Sequence, residues 1–177
     1  NNSILSTIMG IEGKFLVRLG DDYLSWNQIQ VVWDSGSYDY YGRPVEGKLS
    51  NINMTINANE WSHIAVTFGE KTIKVYVNGV EKGSSTTNVP SSVNFGIAHN
   101  DEQGTRITRC FWVGYSYEHA RYFPGMMSEL RIWNRVLTAD ELANATRRYG
   151  VDPKSEGLVT YWKCDEGQGD VIKDHTS

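Results

Sequence analysis

The stretch "WSHIAVTFGEKTIKVYVNGVEKGS", Trp61 to Ser84, decides the fold. Its apolar residues recur at every second position, the period at which side chains leave one face of a strand. Ile64, Val66 and Phe68 point one way, while His63, Ala65 and Thr67 point the other, His63 toward solvent. After a turn at Gly69-Glu70, Ile73, Val75 and Val77 oppose Lys74 and Tyr76. Asn78-Gly79 then marks a tight hairpin, because a primed turn needs positive φ at both central positions. Together these read as an antiparallel three-strand meander from about residue 61 to 86.

The same period continues outward. In "KFLVRLG", Phe15, Val17 and Leu19 share a face, and Leu16 and Arg18 take the other. Further strands are expected at "SILSTIMG", "NQIQVVW", "NINMTI", "VNFGIA", "CFWVGYS", "MSELRIW" and "GLVTYWKC". Short strands separated by turn residues describe a sandwich or barrel. Aromatics at 12% and 17 glycines agree with β architecture. One helix is expected in "LTADELANATRRYG": Thr138 as N-cap and Glu141 three residues on form a capping box. Arg147 and Arg148 suit its end and Gly150 its stop. The sequence therefore predicts a single all-β domain over residues 1–177, an antiparallel β-sandwich of jelly-roll type with one short helix.

A net charge of −4 argues against nucleic acid, which wants a basic face. No apolar run approaches the ~18 to 20 residues of a membrane-spanning helix. The chain opens at Asn1 with neither methionine nor leader, which reads as a piece of a longer protein. Cys110 and Cys164 match no metal spacing; they read as two small buried hydrophobes or as an inter-strand disulfide.

The Trp61–Gly83 stretch, "FPGMMSELRIWNRVLTADELANA" and "GLVTYWKCDEGQGDVIKD" occur in that order. Together they resemble the concanavalin A-like lectin/glucanase superfamily in its laminin-G and pentraxin-like branch, over residues 50–177. Residues 1–49 and "FWVGYSYEHARYFPG" are similar to surface proteins of glycan-foraging, Gram-negative gut bacteria. The resemblance implies a jelly roll at the end of an outer-membrane lipoprotein, beside machinery that captures polysaccharides. The "YW…DEG" segment comes last here, where many members carry it first. Relatives also place a strand ahead of the position of Asn1 and more chain after Ser177.

Catalysis finds little footing in the residues. Glucanases of the superfamily carry E-x-D-x-x-E on one strand, and no such triplet is present. The adjacent pairs Asp101-Glu102, Asp140-Glu141 and Asp165-Glu166 would point to opposite faces of a strand, or sit in turns and caps. His63, His99, His119 and His175 show no metal-binding spacing. The expectation is a domain without catalytic residues, whatever an attached domain does. No cofactor is required, although a structural calcium ion is one reading of Asp165, Glu166 and Asp174 in "CDEGQGDVIKD". A solvated acidic turn is the other. Asp21-Asp22 in "LGDDYL" reads either as metal ligands from the second strand or as turn residues.

"WDSGSYDYYGRPVEG", Trp33 to Gly47, reads as a loop that carries four large rings. A planar ring covers the C–H face of a sugar, and nearby Asp or Arg pairs with the hydroxyls. Trp33, Tyr38, Tyr40, Tyr41 and Arg43 are therefore candidate carbohydrate contacts. If locally extended, Tyr38 and Tyr40 would share a face. "GYSYEHARYF" adds Tyr115, Tyr117, Arg121 and Tyr122, and the two loops are expected to meet at one rim or face of the sandwich. The opposing reading buries these rings to close the sandwich ends. Trp61, Trp112, Trp133 and Trp162 are expected in the core, with Trp26 and Trp33 open either way. The expected function is non-catalytic binding of a poly- or oligosaccharide at the cell surface. A protein-docking laminin-G-like module, or an accessory or structural domain attached to a glycoside hydrolase, is the alternative.

Overall fold

The computed structural model describes residues 5–21, 23–92, 98–100, 106–108, 111–115 and 121–177. Five strands form one antiparallel sheet in the order β10-β1-β2-β3-β4: β1 (Ser6–Ile11), β2 (Phe15–Asp21), β3 (Leu24–Tyr38), β4 (Pro44–Leu49) and β10 (Trp112–Val113). The meander is β5 (Ile64–Gly69), β6 (Thr72–Val77) and β7 (Val80–Ser85). Two short ladders complete the description: β8 (Ala98–Asn100) with β9 (Arg106–Thr108), and β11 (Leu130–Trp133) with β12 (Leu158–Trp162). "NINMTI" contributes only a single bridge, Thr55 to Gln28. Val93–Ile97 of the expected "VNFGIA" strand lies outside the described residues.

The core sits where the five-stranded sheet faces the meander. Val17, Leu19, Ile29, Val31 and Trp33 from one side meet Ile73, Val75 and Val77 from the other. The period-two assignments thus hold on both layers of an antiparallel β-sandwich. The second face of the large sheet is also covered: Leu16, Arg18, Gln30 and Val32 are buried. Arg18 survives there because Nε and Nη2 both donate to Gln30 Oε1, at 2.8 and 2.6 Å, and Nη2 also donates to the Asp21 carboxylate at 3.2 Å. A buried cation would otherwise be costly.

Turn chemistry sets the meander. Asn78 and Gly79 hold φ of 53° and 79°, the primed geometry expected. The preceding turn is one residue later than the sequence suggests, because Gly69 pairs with Thr72 and leaves Glu70 and Lys71 at φ 50° and 56°. Gly79 is needed for space as well as for φ. A Cβ there would lie 2.6 Å from Leu142 O, where the helix end crosses the turn.

The helix is shorter than its pattern. α1 spans Ala139–Ala143 behind the capping box: Glu141 N donates to Thr138 Oγ1 at 3.2 Å, and Thr138 N donates to Glu141 Oε2 at 2.9 Å. Asn144 then stops it, since its side chain accepts from Thr146 N and caps a separate 3-10 turn, Ala145–Arg148. Short polar side chains compete with helical bonding in this way. His63 is also not the solvent-facing residue expected. Burial, then Arg131 and Arg148 beside it, push its pKa down to about 4.

Candidate carbohydrate-binding site

The Trp33–Gly47 stretch is a long hairpin rather than a loop. β3 runs on to Tyr38, and β4 returns from Pro44. Its base is anchored and its tip is free. Trp33 is 1% exposed, and its Nε1 donates to Asn88 O at 2.9 Å. It belongs to the core and cannot touch a ligand, which corrects its place among the candidates.

Outward from Trp33 the pairing loosens. Between the pairs Asp34–Glu46 and Tyr38–Pro44, β4 has one residue, Val45, and β3 has three, Ser35 to Ser37, so β3 bulges. Ser35 Oγ donates to Val45 O at 2.6 Å, and Gly36 takes a φ of 73°. Beyond the last pair, Asp39 organises the turn. Its Oδ1 accepts from Tyr41 N and Arg43 N, both at 2.9 Å, and its Oδ2 accepts from Arg43 Nε at 2.9 Å. The Arg43 N–H, then the Arg43 side chain and the Tyr41 N–H, hold the Asp39 carboxyl below the usual range. Gly42, at φ 75°, lets the chain turn back.

Tyr40 and Tyr41 therefore occupy the two central positions of a pinned turn, where no neighbouring strand can cover them. They are 95% and 76% exposed, and Tyr38 is 70% exposed. Their rings meet edge to face, 5.3 Å apart at 85°. Arg43 stacks over Tyr41 at 5.1 Å. The expected Tyr38–Tyr40 face is replaced by this Tyr40–Tyr41 corner, because the segment turns instead of extending.

The second cluster is separate. Tyr115 packs between Trp112 and Tyr122, with centroids 4.9 and 5.0 Å away, and only Tyr122 is largely exposed. Arg121 Nη1 donates to Glu12 Oε1 at 3.1 Å with both side chains mostly buried, so it is a strut rather than a ligand contact. Tyr117 lies outside the described residues. β1 and β2 separate β10 from β3, three strand spacings or roughly 14 Å. The described rings of the two aromatic groups therefore sit toward opposite edges of the sheet and do not meet at one rim.

The other tryptophans divide differently from expectation. Trp61 precedes the first paired residue of β5 and is exposed. Trp112, Trp133 and Trp162 are half-buried, and the guanidinium groups of Arg135 and Arg147 both lie over the Trp133 ring, at 5.4 and 5.6 Å. Tyr23 and Trp26 are exposed at the far end of β3. The sequence reading passed over Tyr23, although its place after Asp21-Asp22 in a turn was the available signal.

For a cation, Asp165, Glu166 and His175 bring ligand atoms within 4.8 Å of one another. Asp174 does not join them, because its Oδ1 accepts from Tyr161 N, Thr176 N and Thr176 Oγ1. Calcium takes six to eight oxygens, and two exposed carboxylates beside an imidazole do not fit that set. The thiol of Cys164 is free, and Cys110, like Asp22, Asp101, Glu102 and His119, lies outside the described residues.

Nor do Glu141 and Glu166, from the two described carboxylate pairs, suit the acid role in hydrolysis. The Arg135 guanidinium, with the Thr138 N–H, holds Glu141 down to about 2. The Lys173 N–H lowers Glu166. A glycosidase acid needs the opposite shift. Among the described residues, every carboxylate with a displaced pKa (Asp34, Asp39, Glu141, Glu166, Asp174) is displaced downward.

A laminin-G-type family model, described as the concanavalin A-like lectin/glucanases superfamily, matches residues 4–143. The chain is similar to the crystal structure of a provisionally named carbohydrate binding protein from Bacteroides ovatus ATCC 8483. The identity is 28% and the TM-score 0.70, over 98% of this chain and 45% of that one. It thus spans less than half of that relative. A second likeness is to an S-layer domain-containing protein from Clostridium thermocellum ATCC 27405, at 22% identity and a TM-score of 0.34, over 81% of this chain and 64% of that one. No curated protein matches the chain.

Proposed function

The chain belongs to the concanavalin A-like lectin/glucanase superfamily, and from that premise we propose that it is a non-catalytic carbohydrate-binding module of a secreted or surface-anchored protein. The observation that carries this reading is the Tyr40–Tyr41 corner, held open by a turn that Asp39 pins from within. Aromatic rings present flat apolar area at little entropic cost, since each has two side-chain torsions. A pyranose laid on Tyr40 has the edge of Tyr41 beside it. The Arg43 side chain, 69% exposed, offers its terminal N–H groups to hydroxyl oxygens. A site this shallow gives affinities of about mM to μM, or roughly −4 to −8 kcal/mol.

The Bacteroides relative supports a glycan as partner. Anchoring of a longer parent protein at the cell surface, as an outer-membrane lipoprotein, is part of the proposal alone. The downward-shifted carboxylates support a binding role over a hydrolytic one. Among the described residues no helix is long and apolar enough to cross a membrane.

Affinity gel electrophoresis against a polysaccharide panel tests the proposal, run with and without chelator. Tyr40→Ala and Tyr41→Ala are expected to lose retention while stability stays within about 0.5 kcal/mol, as for exposed sites generally. Undiminished retention in both variants would remove the hairpin from the reading.

A further inference from the structure

We infer that this hairpin selects uncharged glycans and discriminates against uronate-bearing or sulfated ones; the inference rests on the carbohydrate-binding reading above. Recognition of an anionic sugar wants a cation with unspent charge, most often a guanidinium presented to the carboxylate or sulfate. Every charge along this hairpin already has a partner. Lys14 Nζ reaches Asp34 Oδ2 at 2.9 Å, at the base. Arg43 Nε reaches Asp39 Oδ2 at 2.9 Å, at the tip. Lys48 Nζ lies 3.5 Å from Glu46 Oε2 on the returning strand. With Lys14 counted in from the β1–β2 turn, three cations stand against three carboxylates and the local net charge is zero.

The tip pair is the one that matters, because Arg43 is the cation beside the rings. Its terminal N–H groups stay open, but an anionic sugar meeting them would share the positive charge with Asp39, whose Oδ2 lies 2.9 Å from Nε. That carboxylate also holds the Tyr41 and Arg43 N–H groups, so the guanidinium is part of the turn that shapes the site. The chain as a whole carries −4, which repels polyanions further at low salt. Hydroxyl groups face neither obstacle. They need donors and acceptors, with no surplus charge.

The ring geometry narrows the contact further. Tyr40 and Tyr41 stand nearly perpendicular, and one face of Tyr41 is covered by Arg43. The two rings cannot lie under consecutive coplanar sugars. Each hairpin takes one pyranose against Tyr40, with its neighbours in the chain making edge contacts.

The test compares neutral chains (galactomannan, hydroxyethylcellulose, dextran) with acidic ones (polygalacturonate, heparin) on affinity gels from 0.05 to 0.5 M NaCl. At least one neutral chain is expected to retain the protein, with a Kd changing less than about twofold across that range, since no net charge is there to screen. The acidic chains are expected to give none. Asp39→Asn should supply the converse: its amide oxygen still accepts the two backbone N–H groups, but Arg43 loses its counter-charge. Whatever the variant costs in neutral binding, it is expected to gain salt-sensitive retention by polygalacturonate or heparin, read as a rise in acidic relative to neutral retention. Wild-type retention by an acidic chain, released by salt and lost in Tyr40→Ala, would overturn the charge selection yet leave the hairpin as the site. Neutral binding that survives Tyr40→Ala, or no retention by any chain, would overturn both.

Discussion

Trp33 and Gly47 are cross-strand partners, and the indole lies so close over the glycine that a Cβ at position 47 would sit 2.1 Å from ring atoms Cε2 and Nε1. This one pairing joins the core to the candidate site. The glycine gives the ring room to lie across β4, and the ring fixes the level from which the hairpin projects.

Gly47→Ala is accordingly expected to destabilise the domain by about 1–3 kcal/mol, the range for forcing atoms into a packed core. Trp33→Ala should cost about 3–5 kcal/mol. Chemical denaturation followed by tryptophan fluorescence reads both. A neutral Gly47→Ala would mean that the indole has another place to go.

The turn between β5 and β6 is an opportunity for stabilisation. Glu70 and Lys71 both sit at positive φ, where residues with a Cβ are disfavoured by about 1 kcal/mol or more each. Replacing the pair by Asn-Gly, which the next turn already uses, should raise stability by up to about 1 kcal/mol. The melting temperature is the readout, and a fall would show that strain there is already relieved.

Acid should weaken the fold through His63. Burial, then Arg131 and Arg148, depress its pKa from 6.5 to about 4 in the native state. The unfolded chain therefore binds the proton more readily, and stability rises with pH across that interval. The contribution is fully present above about pH 6.5 and is lost as pH falls toward 4. Glu141 acts lower, its pKa brought from 4.5 to about 2 by Arg135 and the Thr138 N–H, so its contribution is lost between those values. A melting-temperature profile from pH 7 to 4.5 isolates the histidine. His63→Gln should flatten it, and parallel curves would count against the assignment.

The capping box offers a local test. Thr138→Ala removes the acceptor for Glu141 N and is expected to cost about 1 kcal/mol. Glu141 is held additionally by Arg135, through Nη1 at 2.8 Å and Nη2 at 2.6 Å, so Glu141→Ala should cost more than Thr138→Ala. Urea denaturation of the two variants decides the order.

Much of the sandwich could be read directly from residue order, because the interactions that specify it are local. Alternation in "KFLVRLG" and "KTIKVYV" assigns faces, Asn78-Gly79 assigns a turn, and Thr138 with Glu141 assigns a helix start. Each depends on residues a few positions apart. What covers a face is a different matter. Leu16 and Arg18 alternate away from the core, yet they are buried, because other chain segments lie over that side.

The aromatic side chains show where that boundary falls. Composition placed rings in Trp33–Gly47 without telling which would be inside. Trp33 is buried because Gly47 and Asn88 arrive opposite it from 14 and 55 residues away. Tyr40 and Tyr41 are open because the turn carries them past the last paired residues, while Trp61, three residues ahead of the first β5 pair, is exposed although it sits in an alternating run. Sequence by itself determined strands, turns and caps, since those are settled between neighbours along the chain. Only the tertiary structure decided which rings meet solvent, since exposure depends on what distant segments bring against them.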